Sequence, residues 1–245
     1  MKQKIEKYIV NEQTSDFIWY RPETNDLSPI KEIFQKGGHY SFKKNIAAGM
    51  LVLDLGAHIG AFTRYCNLAG ASCVSFEPEP RNFEMLQMNC DLAAHSGVAN
   101  AIYQEAVTTS KAEKLTFYFN EKRAEDRYRF TQHQSPGRKG VLQVNNRVVD
   151  SLLEMHFDAV KMDVEGSEFL YIDERKIFDC DFMIMEYHFS KDKSMANFRR
   201  RVDILRDYFK EVKTNADHSL LTPNYYPNDE YQFFIDGYII CKNRK

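Results

Sequence analysis

The sequence predicts an α/β fold built around a doubly wound parallel sheet, and three observations predict it. The first is residues 50–63, MLVLDLGAHIGAFT, where an apolar run of strand formers ends in Asp54, passes Gly56 and Gly60, and enters a stretch with apolar residues at helical spacing. The second is that strand and helix signals go on alternating, which implies right-handed parallel crossovers. The third is size: 245 residues, 43% hydrophobic and 13% aromatic, suffice to bury a large core as one domain.

Residues 1–49 precede this pattern and read as a cap or lid segment. A short strand over residues 5–10 is followed by an extended piece, a turn and a short helix, capped by Asn25 or Asp26 and ended by Gly37 and Gly38. Trp19, Tyr20 and Tyr40 there read as packing over a sheet edge. Residues 50–245 form the main domain. After the central strand a helix runs over residues 61–68, closed by Gly70, and a second strand leads to Glu77. Pro80 opens a helix that heads toward His95 and stops at Gly97; a third strand covers residues 100–107.

Residues 108–149 break the rhythm as a charged, hairpin-like insertion. LTFYFN and VLQVNNRVV alternate like paired strands, and the connection between them carries Lys122, Arg123, Arg127, Arg129, Arg138 and Lys139. A buried strand over residues 158–162 then leads through Asp163 to a helix begun by Ser167 and Glu168, and FMIMEYH is the next strand. A long helix over residues 195–209 presents Arg199, Arg200 and Arg201 on a solvated face. Strands over residues 210–214 and 231–242 follow, with Asp236 and Gly237 as a turn or bulge and Tyr225 and Tyr226 as candidates for stacking.

Composition narrows the partners. With 33 basic against 35 acidic residues the formal charge is −2, so no whole-chain field recruits nucleic acid or an anionic membrane. The five cysteines are scattered and never form a C-x-x-C pair, which argues against a disulfide framework or structural zinc and for a reducing compartment. No apolar run approaches the roughly 20 residues that span a bilayer, and the polar start lacks the apolar core of a signal peptide. The expectation is a cytoplasmic chain with no membrane partner.

The turn after the central strand is built to hold a small molecule. A dinucleotide fingerprint is absent, because His58 and Ala61 stand where G-x-G-x-x-G needs its later glycines. Asp54 before the turn suits a cationic ligand, with the turn offering free amides and glycine admitting the ligand closely. S-adenosylmethionine carries a sulfonium and an ammonium, and its ribose needs an acid at the end of the next strand; Glu77 stands there, about 20 residues on. Asp163, Glu165, Glu186 and His188 fall at the ends of two later strands and would share the same mouth. His188 is the candidate general base and Asp163 the alternative. Lys161 serves the strand or orients a carboxylate rather than acting directly, and Asp163, Glu165 and Glu186 are a candidate magnesium set.

Taken together, VLDLGAHIGAFT, VSFEPEPRNFEMLQMNC, EAVTT, DSLL, VKMDVEGSEF and IMEYH resemble the FkbM family of class I S-adenosylmethionine-dependent methyltransferases, from about Tyr20 to His188. The resemblance implies a Rossmann-like, seven-stranded, mostly parallel sheet with helices on both faces and an antiparallel last strand. It also implies cofactor contacts from Asp54, Gly56, Ala57, His58, Gly60, Glu77, Pro78, Glu105 and Ala106, and methyl transfer to a hydroxyl oxygen, often of a sugar or glycan. His58 departs from the asparagine common in the family. Two other readings stand beside it: an RNA ribose 2'-O-methyltransferase using Lys161, Asp163 and Glu186, and a non-catalytic module that binds the cofactor.

Overall fold

The computed structural model describes residues 4–35, 45–94, 97–119, 140–188, 195–214 and 236–244. Their elements, in chain order, are β1 (Glu6–Asn11), β2 (Asp16–Tyr20), α1 (Leu27–Phe34), β3 (Leu51–Leu55), α2 (Ala61–Leu68), β4 (Ser72–Phe76), α3 (Pro80–Asp91), β5 (Ala101–Tyr103), β6 (Ala106–Thr108), β7 (Lys114–Phe119), β8 (Gly140–Val148), α4 (Asp150–Leu153), β9 (His156–Met162), α5 (Glu168–Asp173), β10 (Asp179–His188), α6 (Met195–Tyr208), β11 (Phe209–Thr214) and β12 (Asp236–Arg244).

The main sheet has seven strands in the order β11-β12-β10-β9-β3-β4-β5. Five of them, β10 through β5, run parallel, and β12 is antiparallel to both β10 and β11. This is the mostly parallel, Rossmann-like sheet with an antiparallel last strand that the sequence led one to expect. Strands buried on both faces read as continuous apolar runs, and the period of two divides β3 and its neighbours between two cores. Leu53, Leu55, Val160, Met183 and Met185 pack with α5 and α6 on one face. Val52, Ala159, Phe182 and Ile184 pack on the other with Phe62 of α2, Ile30 and Ile33 of α1, and Ile18 of β2; Trp19 and Tyr20 pack against that second core.

Several expectations need correction. The third strand is split: β5 stays in the main sheet, while β6 leaves to pair with β8 in a three-stranded sheet that also holds β7. The β7–β8 hairpin itself is where its alternation placed it. Helix α3 ends at Asp91, because Ala93 and Ala94 bond back to Cys90 and Asp91 and tighten the last turn. Asp236 and Gly237 are neither a turn nor a bulge; they open β12 and pair with His188 and Tyr187 in an unbroken ladder. Arg201 is not on a solvated face. It is buried between Asp173, which it meets in a two-pronged pair, and the Tyr187 hydroxyl at 2.8 Å. Gly37, Gly38, Tyr40, His95, the six cations at positions 122–139, Tyr225 and Tyr226 lie outside the described residues.

Candidate active site

Strand register sets the floor of the site. In the parallel ladders Asp54 stands opposite Ser75 of β4 and Lys161 of β9. The Lys161 ammonium lies 3.4 Å from Asp54 Oδ1 and donates to the Gly56 carbonyl at 2.6 Å. Thr63 donates to Asp54 Oδ2 at 2.8 Å. Asp54 is 0% exposed and does not line the cavity described below. The acid expected to grip the cofactor directly is instead covered by a lysine and a threonine. Burial works against the Lys161 charge, but Asp54, Asp163 and Glu186 outweigh it and hold the ammonium above its ordinary value. Lys161→Met would leave Asp54 as an uncompensated buried carboxylate and should cost about 3–5 kcal/mol of stability. Urea unfolding measures this, and an unchanged midpoint would refute the pairing.

The turn amides are not free either. Gly56 and Ala57 donate to the Phe76 carbonyl at 3.0 and 2.9 Å, and His58 donates from its backbone to Glu77 Oε2 at 2.8 Å. The loop is thereby sewn to the end of β4. Close packing demands glycine at both turn positions. A Cβ on Gly56 would sit 1.8 Å from the Asp163 carbonyl oxygen, and one on Gly60 would sit 2.7 Å from Leu86 Cδ1.

A cavity of about 200 Å³ opens at the carboxyl ends of these strands. Gly56, Ala57, His58, Glu77 and Pro78 line it from the β3 and β4 turns, and Glu105 and Ala106 from the start of β6. Lys161, Asp163, Glu165 and Glu186 line it from β9, β10 and the loop after β9. Gly60 and His188 do not line it. Glu105 is engaged by Arg147 at 2.6 Å, and that guanidinium lies over the Tyr103 ring.

Glu77 is the most perturbed acid of the cavity. Burial pushes its carboxyl up to about 7, and neighbouring Glu79 adds to this, although the backbone amides of Glu79 and His58 bind its two oxygens at 2.9 and 2.8 Å. Glu79 also caps α3, accepting from the Asn82 amide at 2.7 Å.

The N-terminal segment supplies the opposite wall. Asp26 makes no cap bond to α1, contrary to expectation. Its carboxylate is committed to Arg21, with contacts of 2.8 and 2.9 Å to the guanidinium, and Arg21 Nη2 reaches Asn82 Oδ1 at 2.6 Å. Burial opposes the Asp26 charge, and Arg21 outweighs it, holding the carboxyl below its ordinary value. The His58 ring lies 3.7 Å from Asp26 Oδ1. Burial nevertheless pushes it down to about 4, so it is neutral at physiological pH.

On the far side Asp163 divides its oxygens, Oδ2 at 3.8 Å from Lys161 and Oδ1 at 4.0 Å from His188 Nε2. Glu165, in the left-handed region at φ 52°, places Oε2 at 3.9 Å from the same nitrogen. His188 Nδ1 pairs with Glu168 Oε1 at 2.8 Å, and that oxygen also accepts the Val164 and Gly166 amides at 3.1 Å each. His188 is 3% exposed. Burial disfavours its charge, but Glu168, Glu165 and Asp163 prevail and hold the ring well above its ordinary value. The general-base role expected for His188 does not fit, because the buried ring does not line the cavity. The magnesium set is altered as well, since the Lys161 ammonium already answers both Asp163 and Glu186.

Sequence reading missed Arg21, Asn82 and Glu168. Pro80 at the first turn of α3 marks the start of the helix that carries Asn82. Arg21 and Glu168 become visible only through contacts the fold creates.

The sheet order and the cavity at its carboxyl edge define the class, a Rossmann-like methyltransferase fold that takes S-adenosylmethionine. The profile of the Methyltransferase FkbM domain matches residues 54–212, and the chain belongs to that family. No curated protein matches the sequence. Similar solved structures include the M. jannaschii tRNA m1G37 methyltransferase, at 14% identity and TM-score 0.47, over 100% of this chain and 56% of that one. The Methanococcus jannaschii fibrillarin pre-rRNA processing protein matches at 11% identity and TM-score 0.48, over 99% and 83%. The C-terminal domain of precorrin-6Y C5,15-methyltransferase from Rhodobacter capsulatus matches at 12% and 0.40, over 82% and 85%.

Proposed function

We propose that this methyltransferase transfers the methyl group to a hydroxyl oxygen of a neutral sugar or glycan, with Asp163 as the base. The observation that carries this reading is the wall of carboxylates facing the cofactor turn: Asp163, Glu165 and Glu186 on one side and Glu32 on the other. Carboxylates accept hydrogen bonds from vicinal hydroxyls and repel phosphates. That supports a polyol over RNA, and Lys161, the lysine a ribose reaction would employ, is spent on Gly56 and Asp54.

Glu77 takes the cofactor ribose, and Asp163 receives the acceptor's proton. S-adenosylmethionine, when bound, would supply the methyl group and a thioether leaving group. Most of the rate comes from holding the two molecules in line, worth up to about 7–11 kcal/mol. No step calls on magnesium. Five buried cysteines outside any disulfide support a reducing, cytoplasmic setting, and no helix among the described residues is long and apolar enough to cross a membrane.

The test is incubation with methyl-labelled cofactor and parallel panels of neutral glycans, nucleotide sugars and RNA. Label is expected in the neutral glycans, and label confined to RNA would end the reading. Asp163→Asn should lower kcat by about 10²–10⁴-fold while cofactor affinity stays within about threefold. A non-catalytic module would bind cofactor and label nothing.

A further inference from the structure

We propose that Arg147 is a positioning residue that selects the base of the cofactor: it fixes the Glu105 carboxylate as acceptor for the exocyclic amine of adenine. The inference rests on Glu77 taking the cofactor ribose and is independent of which molecule receives the methyl group. Sheet order gives the direction. Strands β3, β4 and β5 are consecutive neighbours, about 4.8 Å apart. Glu77 follows the middle one, with its amide tied to the Tyr103 carbonyl at 3.1 Å. A nucleoside held there, with its amino-acid end toward the β3 turn, carries its base toward the end of β5. Glu105, Ala106, Val107 and Phe117 line the cavity on that side. Val107 and Phe117 are buried and Glu105 is part-exposed, so a flat ring with one donor on its edge fits this end.

The small sheet holds that carboxylate. Arg147 stands opposite Val107 in the β6–β8 ladder, and its Nε donates to Glu105 Oε2 at 2.6 Å. The guanidinium carbon lies 4.4 Å from the centre of the Tyr103 ring and 5.2 Å from that of Phe76. Those two rings stack on each other at 4.9 Å. The ring quadrupoles attract the cation, so the arginine is fixed by the aromatic pair on one side and by Glu105 on the other. It engages one carboxylate oxygen, and among the described residues Oε1 accepts no hydrogen bond. An ionised carboxylate accepts and cannot donate. It therefore suits the adenine amine and opposes the carbonyl that hypoxanthine presents at the same position. The segment that reads in sequence as a charged insertion thus supplies both an apolar wall, through Phe117, and the group that orients the selecting acid.

The experiment is calorimetry on the full chain with S-adenosylhomocysteine and S-inosylhomocysteine, which present an amine and a carbonyl at that position of the base. Wild-type protein should bind the adenine form at least about 10-fold tighter. Arg147→Met should bring the ratio under about threefold, whereas a merely structural role would weaken both ligands alike and leave the ratio in place. Arg147→Lys, which keeps a cation without the planar fork, should restore part of it. Glu105→Gln, whose amide both donates and accepts, should abolish the preference. Glu77→Gln should weaken both ligands equally; if it weakens neither, the ribose reading falls, and the ratios at Arg147 and Glu105 still decide this one. A wild-type ratio near one, or a ratio that survives Arg147→Met or Glu105→Gln, overturns the proposal.

Discussion

Glu77→Gln is expected to weaken S-adenosylmethionine binding by more than about 100-fold, since a carboxylate accepting from two ribose hydroxyls gives about 1.5–3 kcal/mol for each bond. The same substitution should flatten the acid side of the stability curve. The Glu77 carboxyl titrates near 7 when folded and near 4.5 when unfolded, so between those values the folded state holds the extra proton. Its contribution is full below 4.5 and disappears as the pH rises through 7, a loss of roughly 3 kcal/mol for this one group. In cofactor-free wild-type protein, urea midpoints should carry that fall, and in the variant the component should be missing. Ribose hydroxyls favour the ionised form, so wild-type cofactor affinity should rise from pH 5.5 to 7.5 and then level. Calorimetry across that range checks it; a flat profile would mean that Glu77 is not the ribose acid.

Gly56→Ala is expected to be a severely damaging single methyl, destabilising by more than about 4 kcal/mol and leaving little folded protein at 37 °C. The new Cβ would stand 1.8 Å from the Asp163 carbonyl oxygen and 2.9 Å from its carbon. Both are backbone atoms of a residue whose amide is tied to the Leu55 carbonyl at 3.0 Å, so no flexible side chain can yield. The residue also sits at φ 76°, adding left-handed strain. Gly97→Ala separates the two terms. That glycine has φ 78° but nothing within 4 Å of a Cβ, and the substitution should cost only about 1 kcal/mol. Equal damage at both positions, measured by thermal unfolding, would show that the contact with Asp163 is not the cause.

The contrast between those glycines shows what a linear reading can and cannot reach. A glycine after Asp54 announces a turn because φ is a local property. What the missing side chain makes room for is set by a strand 107 residues away. The order of the main strands and helices, the β7–β8 hairpin and the position of Glu77 were legible, because each follows from periodicity or from a strand-end rule. The fate of Asp54 was not, since it depends on which residue of β9 falls opposite. Arg201 was misjudged for a related reason: three consecutive arginines look solvated, but a helix turns the third toward Asp173. Asp236 and Gly237 carry a genuine turn signal, which the ladder with β10 overrides.

Strand β12 is made after β10 and β11 yet lies between them. On the ribosome, therefore, the apolar edge of β10 stays open until residues 236–244 have emerged, and β11 has no partner of its own to hold it in place. An open edge of this kind invites pairing with another nascent chain. Translation that stalls before this point would leave a species built for aggregation, and the final hairpin closure is the event that makes the polypeptide safe.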